Sequence, residues 1–215
     1  MNFSIFSREN KMIDKIRKNA VEAEQTLGYK LKEGLARLGD EEEACTRAKW
    51  AYWFARNVKG ANIEKCEEAA CKELKYAYWF ALDVKGANIK KCQEIACKEP
   101  WCAYKFAVYI PGANIRKCEE VACKDPWRAY LFAMDVKGAN IEKCCEGACK
   151  DPYFAYRFAR DVKGADIEKC CEGACKYPYY AYYFALCVEG ADIEKCRKMV
   201  ASDKYWDEEF ARAIG

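Results

Sequence analysis

The chain has 215 residues, with 37 Lys and Arg against 34 Asp and Glu, no His and 16 Cys. A net charge of +3 with both signs interspersed supplies no basic surface of the size that nucleic acid requires. Without His there is no Ser-His or Cys-His catalytic grouping, and Lys, Glu or Asp interrupts every run before the roughly 18 apolar residues of a membrane helix.

Residues 1 to 11, MNFSIFSRENK, carry a short apolar cluster and then charges, without the basic leader or small-residue cleavage site of a secretory signal. Together with the cysteine content and the Lys and Glu richness, this favours the cytoplasm of a thermophile over secretion by another route. Next, Met12, Ile13, Ile16, Ala20, Val21 and Leu27 make an amphipathic stripe, expected as an N-terminal capping helix. The terminal segment 1–44 leads into the repeats through Leu35 to Cys45, which reads as a degenerate copy of the second helix of a repeat.

From Cys45 to Ser202 the chain repeats every 26 residues, with glycines at 60, 86, 112, 138, 164 and 190. Each of six units carries an AYxFA box, from Ala51 to Ala55 in the first and Ala181 to Ala185 in the last, followed by GA(N/D)I and a Lys-Cys pair. In the fourth unit Asp125 is an N-cap before Pro126, and Gly138 supplies a left-handed exit, which predicts a helix A over 126–137. Asn140 caps a helix B expected from Ile141 to about Lys150. At 100° per residue Ala51, Phe54, Ala55 and Val58 share one face of helix A, and Ile63, Cys66 and Ala70 one face of helix B. Helices of about ten residues are marginal alone, so each hairpin must bury these faces on its neighbours. The expected fold is all-α, an α-solenoid of six two-helix repeats over 45–202. A C-terminal capping helix over 203–215 follows, with Phe210, Ala211 and Ile214 inward and Asp207 and Glu208 polar.

These hairpins, with their small and aromatic first helices, Gly turn and Ala-Cys near the end of the second, resemble the helix-turn-helix repeats of the tetratricopeptide and Sel1-like kind. The likeness covers about residues 35 to 215, with a unit shorter than that family's 34 to 36. The resemblance implies an interaction role and helices stapled by cysteines, and maps no binding residue onto this chain.

Twelve cysteines fall into two registers, Cys66, Cys92, Cys118, Cys144, Cys170 and Cys196 in one and Cys45, Cys71, Cys97, Cys123, Cys149 and Cys175 in the other. Pairing within a helix, Cys66 with Cys71, means a spacing of five and a rotation of about 140°, poor disulfide geometry. Pairing across units, Cys45–Cys66 through Cys175–Cys196, gives six bridges each separated by 21 with none left over. The alternative is thiols packed as small hydrophobes. Cys102, Cys145, Cys171 and Cys187 stand outside this ladder. Of these, Cys145 lies four residues from Cys149 and Cys171 four from Cys175, a spacing able to present thiolates to Cu(I), Zn or an iron–sulfur cluster. Only two units have the extra cysteine and CxxC knuckles are absent, so no metal or other cofactor is the primary expectation.

The A helices vary at Trp53, Trp79, Lys105, Leu131, Arg157 and Tyr183, the candidate partner-binding positions, and also at Lys49, Lys75, Trp101, Trp127, Tyr153 and Tyr179. Varied aromatics and Arg on a constant helical scaffold are how solenoids read extended partners, although the rings could instead pack between successive helices. Tyr52 and its five equivalents suit an apolar body with a hydroxyl bonded to backbone or water. No nucleotide-binding or nucleophile motif is present, and Asp83, Asp135 and Asp161 interrupt any basic stripe. The sequence thus points to a monomeric, non-enzymatic, disulfide-stabilised scaffold for a protein or peptide, with thiolate metal binding as the alternative.

Overall fold

Short caps, a left-handed glycine and one buried Phe per unit determine how each hairpin closes. The computed structural model describes residues 26–214, all of whose regular elements are helical. Most of the expected N-terminal capping stripe, Met12 to Val21, lies outside the described residues. Leu27 opens helix α1 (Leu27–Lys32) and is fully buried. The degenerate repeat then consists of a 3-10 turn (Leu38–Asp40) and the single-turn α2 (Glu41–Ala44), with Leu35 and Leu38 exposed.

Six A helices follow: α3 (Ala48–Asn57), α5 (Leu74–Asp83), α7 (Pro100–Tyr109), α9 (Pro126–Asp135), α11 (Pro152–Asp161) and α13 (Pro178–Cys187). They alternate with B helices α4 (Ile63–Ala70), α6 (Ile89–Ala96), α8 (Ile115–Ala122), α10 (Ile141–Ala148), α12 (Ile167–Ala174) and α14 (Ile193–Val200), and α15 (Lys204–Ile214) closes the described chain. Both helix types end about two residues sooner than the local pattern predicts. The Val136 N–H still bonds to Phe132 O, but Val136 itself turns to extended backbone so that Gly138, at φ 85°, can reverse the chain. After α10 the Asp151 N–H bonds back to Ala148 O, turning the chain toward Pro152. The caps match their sequence signals: Asn140 Oδ1 accepts from Lys143 N–H at 3.1 Å and Asp125 Oδ1 from Arg128 N–H at 2.9 Å.

The chain divides into two compact units, Met1–Ile95 and Ala96–Gly215. In the first, α3 packs on α4, on α5 and on the N-terminal α1 and α2. In the second, each A helix packs on its own B helix and on the next A helix, from α7 through α13 to α15, and each B helix touches the following A helix. This is the nearest-neighbour pattern of a helical repeat. The A-helix face is as expected: Ala51 and Phe54 are fully buried, Ala55 is buried, and Phe80, Phe106, Phe132, Phe158, Phe184 and Phe210 repeat the buried ring. Each such ring contributes about 2–3 kcal/mol by leaving water. The B-helix face is narrower than expected. Cys66 and Ala70 are fully buried but Ile63 is only half-buried, because the first turn of each B helix lies at the edge of the layer. At the C-terminus Asp207 and Glu208 are exposed, as a capping helix requires, and Ala211 is exposed too.

Gly147 marks the closest helix approach. A Cβ there would collide with Cys123 O and meet Ala129 Cβ at 2.7 Å. Helix propensity alone favours Ala over Gly by about 1 kcal/mol. We expect Gly147→Ala to lower stability instead, by about 1–3 kcal/mol, because overpacking against backbone outweighs propensity. Urea denaturation checks the sign.

Candidate functional site

The last turn of each B helix reaches forward into the next repeat, and the side chains at this junction recur with the 26-residue period. At Glu41, Glu67 and Glu119 a carboxylate oxygen accepts the backbone N–H of the next N-cap residue, Asn62, Asn88 and Asn140 respectively, each at 2.6 Å. Glu67 and Glu119 are almost completely buried, so this bond replaces lost hydration and fixes where the next helix begins. Gln93 occupies the equivalent place and is equally buried. An outer ion-pair row runs alongside, for example Lys169 to Glu146 at 3.2 Å and Lys195 to Glu172 at 3.3 Å. Lys169 and Lys195, each just before a ladder cysteine, make these inter-repeat pairs, which at such exposure contribute roughly 0–1 kcal/mol each.

Four residues after each junction acceptor stands one cysteine of the ladder, at the C-cap of its helix, as Cys71 follows Glu67 and Cys123 follows Glu119. The six pairs deduced from register are neighbours in space, with Sγ–Sγ distances of 3.8 Å for Cys45 and Cys66, 3.7 Å for Cys71 and Cys92, and 3.6 Å for Cys97 and Cys118. Cys123 and Cys144 are 3.5 Å apart, and Cys149–Cys170 and Cys175–Cys196 are both 3.6 Å apart. These are contacts between thiols, well beyond the roughly 2.05 Å of a disulfide.

At the fifth and sixth junctions the Glu position is taken by Cys145 and Cys171, both buried. Cys145 Sγ lies 3.6 Å from Cys149 Sγ and 3.4 Å from Cys170 Sγ. Cys171 Sγ lies 3.6 Å from Cys175 Sγ and 4.0 Å from Cys196 Sγ. Each extra cysteine thus turns a pair into a triangle. The helical spacing of four identified Cys145 with Cys149 and Cys171 with Cys175. It missed Cys170 and Cys196 as third members, although the ladder had already placed each beside its partner. Cys145 also takes over the acceptor role of Glu119. Hydrogen bonds from the Cys149 and Cys170 thiols, and one from the Asp166 N–H, push it down to about 4, making it the first of its triangle to ionise. Its contacts with Cys145 and Cys149, together with burial, push the Cys170 thiol up. In the second triangle Cys175 is lowered to about 7, chiefly by the Cys196 thiol.

Cys102 is buried and its thiol raised by that burial. Cys187 stands where Asp135 and Asp161 stand in earlier repeats, and it pairs with the Tyr156 hydroxyl. This belongs to a second recurrent link. Tyr52 donates to Asp83, Tyr104 to Asp135 at 2.5 Å and Tyr130 to Asp161 at 2.8 Å, each 31 residues ahead. Burial and the Asp83 carboxylate push Tyr52 up to about 12. The hydroxyls expected to meet backbone or water therefore meet side chains of the next A helix. Around Asp161, burial favours the neutral acid, but the Arg160 and Arg157 guanidiniums and the Tyr130 hydroxyl outweigh it and hold the carboxyl well below the usual range.

The predicted partner-binding positions lie on the outer side of the A helices. Trp53 is exposed, while Trp79, Lys105, Leu131, Arg157 and Tyr183 are half-buried. Arg157 is engaged by Asp161 at 2.8 Å and by the Tyr153 hydroxyl at 2.9 Å. One turn earlier in the second unit, Trp101, Trp127, Tyr153 and Tyr179 are exposed at 41%, 50%, 38% and 45%. The two rows adjoin: the Tyr179 and Tyr183 rings are 4.8 Å apart, and the Arg128 guanidinium lies 4.1 Å from the Trp127 ring.

Removing the junction acceptor should be costly where it is buried. Glu119→Ala is expected to destabilise by about 1–3 kcal/mol by orphaning the Asn140 N–H, whereas Glu119→Gln keeps an acceptor and most of the stability. Chemical denaturation of the two variants measures the difference. No family model, curated protein or solved structure matches the chain.

Proposed function

We propose that the chain is a non-enzymatic scaffold whose repeats stack as an α-solenoid within each unit, of the tetratricopeptide and Sel1-like kind, and which binds a protein or peptide along its A helices. The observation that carries this reading is the exposed row Trp101, Trp127, Tyr153 and Tyr179, one large ring in each of the last four repeats. Buried rings would be scaffold; rings left in water at a fixed period are anchors without a cost to recover except by binding. Neighbouring packed helices have axes about 10 Å apart, close to the length of three residues of extended chain. An extended peptide could therefore place every third side chain against successive rings. Lys105, Leu131, Arg157 and Tyr183, four residues further along each helix, form the varied half-buried shoulder of the same face.

In the same reading the six thiol pairs close as disulfides when the protein is oxidised. Each would span a loop of about twenty residues and stabilise by ~3 kcal/mol, and because the loops are in tandem the effects would nearly add. Stapled repeats would keep the rings in register, so that little conformational entropy is lost on binding.

Peptides selected from a displayed library on the oxidised protein test the face. Trp127→Ala is expected to weaken the selected peptides about tenfold or more while leaving the melting temperature unchanged. A large drop in melting temperature with binding intact would make Trp127 a packing residue and overturn the proposal.

A further inference from the structure

We propose that the reduced chain carries two binding sites for a soft, thiophilic metal ion, Cu(I) by preference, one formed by Cys145, Cys149 and Cys170 and the other by Cys171, Cys175 and Cys196. In each group the three sulfurs lie within 4.8 Å of one another. An ion bonded to sulfur at about 2.3 Å, the zinc value, and coplanar with three thiolates needs triangle edges of ~4.0 Å. The first triangle has edges of 3.4, 3.6 and 3.6 Å and the second 3.6, 3.6 and 4.0 Å. Expansion by a few tenths of an ångström seats the ion, within the reach of side-chain torsion.

The donor set selects the metal. Thiolates alone favour Cu(I), zinc or iron–sulfur clusters over hard cations. A structural zinc site takes four protein ligands and a catalytic one adds water in the fourth position; a cluster takes four cysteines. Each group here offers three donors; Cys145, Cys170, Cys171 and Cys196 are at most 1% exposed and Cys175 is buried, while Cys149 is half-buried. A three-coordinate, all-sulfur, mostly buried site suits Cu(I).

The other four junctions act as an internal control. Cys45–Cys66, Cys71–Cys92, Cys97–Cys118 and Cys123–Cys144 have the same backbone arrangement, but the third position is Glu41, Glu67, Gln93 or Glu119. At Glu41, Glu67 and Glu119 a carboxylate already bonded to the next helix stands in place of the third soft donor, and at Gln93 a side-chain amide does. Close helix approach supports the first site independently: a Cβ on Gly173, in the helix that carries Cys170, would meet Cys149 Cβ at 3.1 Å. Oxidation and metal binding exclude each other, because a Cys149–Cys170 or Cys175–Cys196 bond withdraws two of three donors. This inference concerns the B helices and is independent of the peptide-binding face.

Anaerobic titration of the fully reduced chain with Cu(I), in competition with a chromogenic Cu(I) chelator, tests the sites. Two equivalents should be retained. Cys145→Glu and Cys171→Glu, which install the residue used at the Glu119 junction and so keep the fold, should each retain one, and the double variant none. Cys102→Ser should retain two, and the oxidised protein none. No retained copper, six equivalents in place of two, or two equivalents in the Cys145→Glu variant would overturn the proposal. Preferential retention of Zn(II) when both metals are offered would overturn the choice of metal.

Discussion

The structure depends on the contact by which the last turn of one B helix fixes the first residue of the next. A buried acceptor on one repeat, Glu67 or Glu119, holds the N-cap N–H of the next B helix 21 residues on, at Asn88 or Asn140. An unsatisfied N–H there would cost as much as the bond is worth, so the register of successive hairpins is set at each junction separately. Propensity could not do this, since a B helix of eight residues is too short to form alone. The cysteine pairs, the Lys–Glu row and the Tyr–Asp links are repeated because this junction is repeated.

One consequence is that the chemistry of a junction can change while its geometry persists. Cys145 still accepts the Asp166 N–H, as Glu119 accepts that of Asn140, yet it brings a third sulfur beside Cys149 and Cys170. Under the two proposals the roles of these cysteines would be coupled, since the same Cys149 and Cys170 would join two repeats when oxidised or present donors when reduced. The A-helix surface is separated from this layer. Its inner ring, Phe132 and equivalents, is invariant and buried, and the exposed rings of Trp101, Trp127, Tyr153 and Tyr179 lie on the opposite side. A scaffold built this way can vary its outer residues without disturbing its joints.

Much of the architecture was legible in the sequence because its signals are local and repeated six times. Asn140 as cap, Gly138 at positive φ, Pro126 at the first helical position and the buried Phe all follow from backbone chemistry. Which thiols lie next to one another, though not whether they bond, also followed, since spacing and rotation left one consistent register. What was not legible depended on distances between repeats. The Tyr130 hydroxyl finds Asp161 31 residues away, a separation that no helical period announces, and so Asp161 looked like a surface charge. Ile63 shares the apolar face of its helix by angle but lies at the edge of the layer, which only packing reveals. Cys187 looked orphaned because its role is that of the Asp it replaces.

The most direct test of the inter-repeat junction is peptide mapping of mildly oxidised protein under non-reducing conditions. The account predicts crosslinks at a constant separation of 21 residues, Cys45–Cys66, Cys71–Cys92, Cys97–Cys118, Cys123–Cys144, Cys149–Cys170 and Cys175–Cys196. Bonds within single helices, such as Cys66–Cys71, or pairs joining non-adjacent repeats would contradict it.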